Sequence, residues 1–400
     1  MRSLLLTLAT VVVLAPPAGA QPTRFDAPAD LFYLHPLVNY SLPLRWQAAW
    51  ERHRMRHGGL QATIGSISTN DLATLVRVEA AEAVGDHFRF LYRLDWTASP
   101  HLDGPERQNW LGIEVGNLAT PWGRFGAEIV THPTSDKADL DVVPGLVWTD
   151  ASRRNYLRAG WRRDDFLYGE KNDLDATLEE EADGPTWAAH FERGRWSVSS
   201  EGTVLSPSER RFPDRSRSPD RAFLRRERSW SSHALRYRET GRIVELRVEH
   251  RDFEELDAPP PGVEPTPGHR QDSRWRHVRL AWEEDLSRHW RIRGQLHAME
   301  YENDLGRITH DRDEFLGGVF VERSLGGGHW IDLGWMGTDH EWTTTPASDL
   351  YGPDRDAVAA KLSLGWTLAF DDRGWFRALI SHEPDPQDFG GANVQAQVRF

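Results

Sequence analysis

Arginine and glutamate recur at every second position in several stretches of this chain. Residues 244–251 and 290–298 both alternate apolar side chains with charged or polar ones. Side chains two residues apart lie on the same face of a β-strand, so the charges would share one face. Charged groups that line a water-filled space select the ions or polar solutes that enter it. This pattern assigns to such an inner face Arg89, Arg93, Arg158, Arg236, Arg238, Arg247, Arg279, Arg291 and Arg293, with Glu114, Glu192, Glu245 and Glu249.

The inner charges allow two interpretations. In an open interior, the excess of arginine over glutamate at these positions favours anionic solutes. In a closed interior, each arginine would only neutralise a neighbouring carboxylate in a salt-bridged wall. The sequence leaves both open.

A serine, a histidine and an aspartate form a second candidate site. If Thr240-Gly241 is a two-residue turn, Ser231 lies directly opposite His250, and Asp252 follows two residues later. Directly opposed side chains have Cβ atoms about 4.5–5.5 Å apart. The three residues would then lie near the outer rim on the outward face, where a lipid-acting hydrolase needs a nucleophile, a base and an orienting acid. The alternative is an ordinary polar cluster at the ends of two strands.

Acidic loop segments are the third candidate. Residues 170–183 hold seven acids and one lysine, residues 252–272 are also acidic, and residues 310–314 read His-Asp-Arg-Asp-Glu. Such carboxylates could bind Ca²⁺ or Mg²⁺ together with lipopolysaccharide phosphates, since hard cations take oxygen ligands. A solvated loop is the alternative, and no spacing here matches a known metal-binding loop. No cofactor is therefore predicted.

Antiparallel strands must position all of these residues. Phe88, Phe90, Tyr92, Leu94 and Trp96 alternate with polar positions, which predicts a strand with one lipid-facing and one polar face. Tight turn sequences alternate along the chain with longer polar connections, among them residues 168–185, 206–228, 303–313 and 383–391. Counting the hairpins predicts about eighteen strands, with sixteen as the next possibility, and both chain ends on one side of the membrane.

The two ends of the strand region carry separate signals. Residues 1–20 combine an early arginine, an apolar run and Ala18-Gly19-Ala20, which predicts a signal peptide. Residues 21–59 are predicted as a periplasmic lead-in that includes a helix from Ser41 to His57, ended by Gly58-Gly59. Its Arg52, Arg54 and Arg56 suit a plug inside an acidic interior, although a first strand or surface helix is the alternative. The strand region proper is predicted over residues 60–400.

Composition agrees with a membrane-spanning β-structure. The mean hydropathy is −0.61, which is too polar for a helical membrane protein but suits strands of which only alternate residues meet lipid. The chain has 18 tryptophans against 4 methionines and no cysteine, which excludes disulfides. Tryptophan favours membrane interfaces. We therefore predict two interfacial girdles that include Trp96, Trp110, Trp122, Trp148, Trp187, Trp196, Trp230, Trp275, Trp290, Trp330, Trp342 and Trp375.

The last ten residues give the most specific signal. Val394, Ala396, Val398 and Phe400 occupy one face of a strand, whereas Gln395 and its alternate neighbours occupy the other. This ending resembles the closing strand of Gram-negative outer-membrane β-barrels, whose terminal phenylalanine the barrel-insertion machinery reads.

The resemblance implies an all-β, transmembrane antiparallel β-barrel with short periplasmic turns and long extracellular loops. Its expected partners are outer-membrane lipid, lipopolysaccharide, the insertion machinery and small polar solutes, with no nucleic acid. A porin-like channel for small polar, anionic solutes is the leading expectation. A lipid-acting hydrolase and a plugged barrel in envelope assembly or export are the alternatives, and a secreted soluble all-β protein is the competing fold.

Overall fold

The described part of the chain consists almost entirely of strands. A computed structural model describes residues 44–45, 58–66, 72–84, 87–98, 106–133, 140–152, 154–167, 177–212, 222–262, 270–306, 308–346, 355–370, 374–384 and 388–399. Within these ranges, no helix has the length and apolar character needed to cross a membrane. Signal peptide, predicted plug arginines and Phe400 all lie outside the described residues.

Twenty strand segments make up one sheet. They are β1 Gly58–Ser66, β2 Leu72–Val84, β3 Phe88–Ala98, β4 Glu106–Thr120, β5 Gly123–Pro133, β6 Leu140–Thr149, β7 Tyr156–Leu167, β8 Thr177–Glu180, β9 Asp183–Arg193, β10 Trp196–Val204, β11 Ser208–Arg211, β12 Phe223–Glu239, β13 Arg242–Ala258, β14 Arg270–Asp285, β15 Trp290–Asp304, β16 Thr309–Gly326, β17 His329–Thr345, β18 Arg355–Phe370, β19 Gly374–Glu383 and β20 Asp388–Arg399.

The sheet closes on itself through its first and last strands. β1 pairs with β2 on one side and with β20 on the other, from Gly59 opposite Arg399 to Ser66 opposite Ala392. Neighbouring strands elsewhere are antiparallel and mostly consecutive in sequence. The protein is therefore a β-barrel, which leaves its first and last strands without a free edge.

Eighteen strands form the ring, in agreement with the predicted number of about eighteen. β7 pairs with β9, and β10 pairs with β12, so β8 and β11 take no separate place in it. β8 and β11 pair with each other, and β11 also pairs with β12. Between β10 and β11, the backbone N–H of Ser206 donates to Asp183 (2.7 Å) and that of Leu205 donates to Arg228 (3.1 Å), so pairing with the neighbouring strands continues across the break. The short segments extend β9 and β10 beyond a break in each strand.

The connections alternate in length around most of the ring. Those on the side of both chain ends are short, such as Thr240-Gly241, where Gly241 has a φ of 76° that suits glycine. Two predicted long loops on the opposite side are wrong in length. β15 and β16 leave only residues 305–308 between them, and β19 and β20 leave only 384–387. Strand pairing extends into these polar segments because a strand that projects beyond the lipid can carry charged residues on its outward face.

Burial follows the two-residue period. On β15, Arg291, Arg293 and His297 are buried, whereas Trp290 and Leu296 are exposed. On β20, Gln395 and Gln397 are buried and Val394 is exposed, as the sequence predicts. Polar side chains therefore face the barrel interior, while apolar ones face outward. This burial pattern, with polar residues inside and apolar residues outside, is the reverse of that in a soluble protein and is typical of a transmembrane β-barrel.

The outer limit of the apolar surface is sharp on one side of the barrel. Val248, Val278, Ala298 and Phe315 form an outward row across β13 to β16. Two residues further along each strand, the outward positions are instead polar or charged: His250, Arg276, Glu300 and Asp313. Since charged groups are costly at hydrocarbon depth, the lipid must end between the two rows. The chain is a transmembrane β-barrel whose strands continue beyond the bilayer.

Two sequence predictions about the outward face need correction. Leu94, assigned to lipid, is only 5% exposed, unlike Phe88 and Phe90 of the same strand, which are half exposed. Strand alternation determines which side of the wall a residue faces, but it does not determine whether other parts of the chain cover that residue.

The two tryptophan girdles are also only partly right. Trp122, Trp196 and Trp290 are exposed, but Trp275 and Trp375 are buried on the inner face. Trp290 and Trp375 lie at or next to a strand end, whereas Trp275 is the sixth residue of β14 and Trp230 the eighth of β12. Proximity to a strand end does not determine the face.

Candidate functional site

The barrel interior contains two walls of different construction. We call the inward-facing residues of β12–β19 the ion-paired wall and those of β5–β10 the small-residue wall.

The ion-paired wall carries a chain of alternating charges near the end of the barrel that has the short turns. Arg291 contacts Asp285 (3.0 Å) and Glu322 (3.1 Å), and Glu322 also binds Arg293. Arg293 lies 3.6 Å from Asp332. These side chains are buried, apart from the partly exposed Asp285. Each buried charge therefore has an opposite charge beside it, which offsets the large cost of removing it from water.

Arg377 ends this chain of charges. Its two terminal nitrogens donate to the two carboxylate oxygens of Asp332 at 2.7 and 2.8 Å, and one of them also donates to Thr367 at 3.1 Å. A Cβ atom at Gly365 would lie 2.3 Å from Asp332 Oδ2 and 2.7 Å from Arg377 Nη2. Glycine is needed there because the ion pair crosses directly over the backbone.

A second cluster lies further along the same wall. Glu245 is fully buried among Arg236, Arg247 and Arg279, with the last two at 3.1 and 3.6 Å. Three guanidinium groups around one carboxylate give this level of the interior a local positive excess.

A histidine pair adjoins the Glu245 cluster. His277 contacts Glu249 at 3.0 Å and His297 at 2.9 Å, and the two imidazole rings are almost parallel. The Glu249 carboxylate therefore lies beside an imidazole, and it also accepts a hydrogen bond from Ser232.

The small-residue wall is lined differently. Its inward positions include Gly126, Gly145, Gly160, Ala188 and Ser197, all of which are partly exposed. Residues of this size leave room for solvent between the larger inward residues of the same strands, which include the buried Tyr156 and His190.

One ion pair of the small-residue wall places arginine toward solvent and carboxylate behind it, whereas Arg162, which pairs with Asp141 and Asp164, is mostly buried. Arg158 donates to Glu128 at 2.6 Å, and their side chains are 41% and 2% exposed. On the adjoining β3 and β4, Arg89 and Glu114 are 3.1 Å apart, and again the arginine is the more exposed partner. The solvent in this part of the interior meets guanidinium groups first.

Leu44 and Arg45, which precede the barrel in sequence, lie inside it. Leu44 is buried against the inward-facing Ile243 and Ala281. Arg45 binds Glu283 and lies 2.8 Å from Asp285. The Arg45 contacts join residues about 240 positions apart and bring Arg45 against the end of the ion-paired wall that has the short turns.

The other predicted inner-face residues lie as follows. Arg93 is partly exposed on β3, Arg238 is exposed near the β12–β13 turn, and Glu192 donates its backbone N–H to the Asn155 side-chain oxygen at 2.6 Å. Sequence reasoning missed Glu283, Glu322, Asp332 and Arg377. The two-residue alternation of β14, β16, β17 and β19 was the signal that could have identified them.

The candidate hydrolase residues are neighbours but do not form a relay. Ser231 and His250 are directly paired across β12 and β13, as predicted. His250 Nε2 lies 2.5 Å from Asp252 Oδ2, and Ser229 donates to the same carboxylate at 3.3 Å. Within the described strands, no hydrogen bond joins Ser231 to His250. The arrangement supplies an oriented histidine without an activated serine.

The loop acids do not assemble into a metal site in the part of the chain that the structure describes. There, no group of three or more histidines or carboxylates has metal-binding geometry. Residues 310–314 belong to β16 rather than to a loop, and Asp311 and Asp313 occupy its outward face.

Comparison with known proteins adds little about function. No protein-family model and no curated protein matches the chain. Solved structures that are similar include a loop L8 deletion mutant of OmpT, an outer membrane protein of Vibrio cholerae, at 10% identity and a TM-score of 0.43 over 85% of this chain and 97% of that one. A bacterial polysaccharide outer membrane secretin aligns at 13% identity and 0.41, over 86% of this chain and 98% of that one. Pseudomonas aeruginosa OccK2, solved with glucuronate, aligns at 10% and 0.40, over 85% and 96%.

Proposed function

We propose that this outer-membrane barrel is a channel for small polar solutes that favours anions. The small-residue wall carries this proposal, because its glycine, alanine and serine side chains leave solvent-accessible space along the inside of β5–β10. The polar lining lets hydrated solutes pass without losing all contact with hydrogen-bonding groups. The ion-paired wall would act as the fixed side of the passage.

The preference for anions rests on which partner of each ion pair meets solvent. Arg158 is exposed and Glu128 is buried behind it. A charge at the surface of a confined aqueous space raises the local concentration of the opposite ion. An ion pair without net charge therefore favours anions when its arginine is the partner exposed to solvent.

Reversal potential in a salt gradient tests this proposal. We expect the refolded wild-type protein to conduct ions in a planar bilayer and to prefer anions. Arg158→Glu should shift the reversal potential toward cations, because it replaces the exposed positive charge with a negative one beside Glu128.

Arg163→Glu provides the matched control. Arg163 lies on the outward face of the same strand, five residues away, so its reversal should leave ion selectivity unchanged. A wild type that does not conduct, or that prefers cations, would contradict the proposed channel.

A plugged barrel is the second candidate, because Leu44 and Arg45 occupy the interior. In this case the lead-in segment would obstruct the passage, with Arg45 holding it to Glu283 and Asp285. Arg45→Glu would place like charges together and should raise the conductance well above that of the wild type. Equal conductance of the two proteins would exclude an obstruction that depends on this contact.

A further inference from the structure

A row of aromatic and arginine residues crosses the inner face toward the extracellular end. Pairing across successive strands aligns Trp230 with Arg251, Arg251 with Trp275, Trp275 with Tyr301 and Tyr301 with Arg312. These five residues form what we call the aromatic–arginine row. Inward-facing tryptophans are not explained by interfacial anchoring, since that requires contact with the lipid headgroups.

Contacts within the row hold one arginine in place. The guanidinium carbon of Arg251 lies 4.8 Å from the centre of the Trp275 ring, which is a cation–π distance. Trp275 is only 3% exposed and also packs with Met299, Tyr301 and Leu316. A buried ring that is fixed on several sides limits the orientations of the arginine above it.

The neighbouring Trp230 differs in exposure. It is 39% exposed, although it lies at an inward-facing position of β12 directly opposite Arg251. On its other side it is paired with Thr203, which is paired in turn with Thr186. The hydroxyls of Thr186 and Thr203 are 3.0 Å apart. An accessible indole face thus lies between a held guanidinium and a surface of small hydroxyl side chains.

We propose that Trp230 and Arg251 form a binding site for organic anions that have a flat apolar ring. The indole would stack on the ring, and the guanidinium would bind the carboxylate. The geometry favours a ring carboxylate over a simple inorganic anion, because an arginine alone would bind either. This inference deepens the proposed channel function by naming the class of solute that it would select.

Equilibrium binding of benzoate to the refolded full-length protein in detergent micelles tests the site without requiring conduction. We expect benzoate to bind at least about fivefold more tightly than acetate or benzyl alcohol, each of which offers only half of the interaction. Trp230→Ala and Arg251→Gln should each weaken benzoate binding by about fivefold, and Trp230→Phe should retain most of it. Retained strand content by circular dichroism would show that the variants fold.

A matched pair on the opposite face of the wall controls for partitioning into the micelle. Arg323 lies over the Trp290 ring at 5.2 Å, and Trp290 is exposed on the outward face. Trp290→Ala and Arg323→Gln should leave benzoate binding unchanged. Equal binding of benzyl alcohol, equal losses in the outward variants, or no saturable benzoate binding would overturn the proposal. Because binding is measured without a membrane potential, failure of the site and failure of the channel are separate results.

Discussion

The ion-paired wall and the small-residue wall solve the problem of a polar barrel interior in different ways. The first buries carboxylates such as Glu245, Glu283 and Glu322 almost completely and surrounds them with arginine. The second combines glycine, alanine and serine with an ion pair whose arginine, Arg158, stays partly exposed. A polar interior therefore does not by itself indicate an open passage. The exposure of the individual charges indicates where solvent can enter.

The two walls should also differ in their tolerance of substitution. Removing one partner of a buried ion pair leaves an uncompensated charge, whereas an exposed partner can be solvated by water. A wall of interlinked buried pairs is thus rigid but sensitive to single changes. A wall of small residues tolerates the loss of one pair but is sensitive to added volume.

The largest expected difference concerns removal of a carboxylate from each wall. Glu322→Ala removes a carboxylate that Arg291 and Arg293 share. Arg293 then keeps a carboxylate contact with Asp332, at the longer distance of 3.6 Å. We expect a loss of about 3–5 kcal/mol in the free energy of unfolding, measured by urea titration in lipid vesicles.

Glu128→Ala is the matched change on the small-residue wall. Its partner Arg158 is 41% exposed and can be hydrated, so the expected loss is only about 1 kcal/mol or less. Similar losses for the two variants would mean that the walls do not differ in the way their exposure indicates.

A larger side chain on the inner face of the small-residue wall should lower the conductance of the channel. Ser197→Trp places a large ring on the inner face of β10 and should reduce single-channel conductance by about half or more, because the passage narrows there. Val198→Trp adds a comparable ring one residue later on the exposed outward face and should leave conductance unchanged. Unaltered conductance in Ser197→Trp would place the solute path elsewhere.

The smallest effect concerns a turn that connects two strands of the small-residue wall. Burial raises the pKa of Asp150, but hydrogen bonds from Ser152 and from the N–H groups of Asn155 and Arg154 outweigh it, so the pKa lies below its ordinary value. A carboxylate with a lowered folded-state pKa stabilises the protein above its unfolded-state pKa. That contribution is lost as the pH falls through the folded-state value.

Asp150→Asn should therefore reduce stability near neutral pH by about 0.5–1.5 kcal/mol and make the acid loss below pH 3.8 shallower. Urea unfolding in vesicles at several pH values measures both effects. An unchanged pH profile would show that the Asp150 hydrogen bonds contribute little in the folded state.

The sequence by itself determined the properties that depend on local alternation and turn chemistry. The two-residue period placed Arg291 and Arg293 on the opposite face from Leu296, and Thr240-Gly241 set the register that pairs Ser231 with His250. Strand number followed from the alternation of turns and connections, because each hairpin is a local structure.

Only the tertiary structure decided which distant residues meet. Closure pairs β1 with β20, and Arg45 binds carboxylates on β14, although nothing local to either segment encodes these contacts. The same limit explains Leu94, which is buried although it shares the outward parity of Phe88 and Phe90. Alternation fixes the side of the wall that a residue faces, whereas curvature and closure fix its neighbours across the interior. Those neighbours separate an ion-paired wall from a solvent-accessible one.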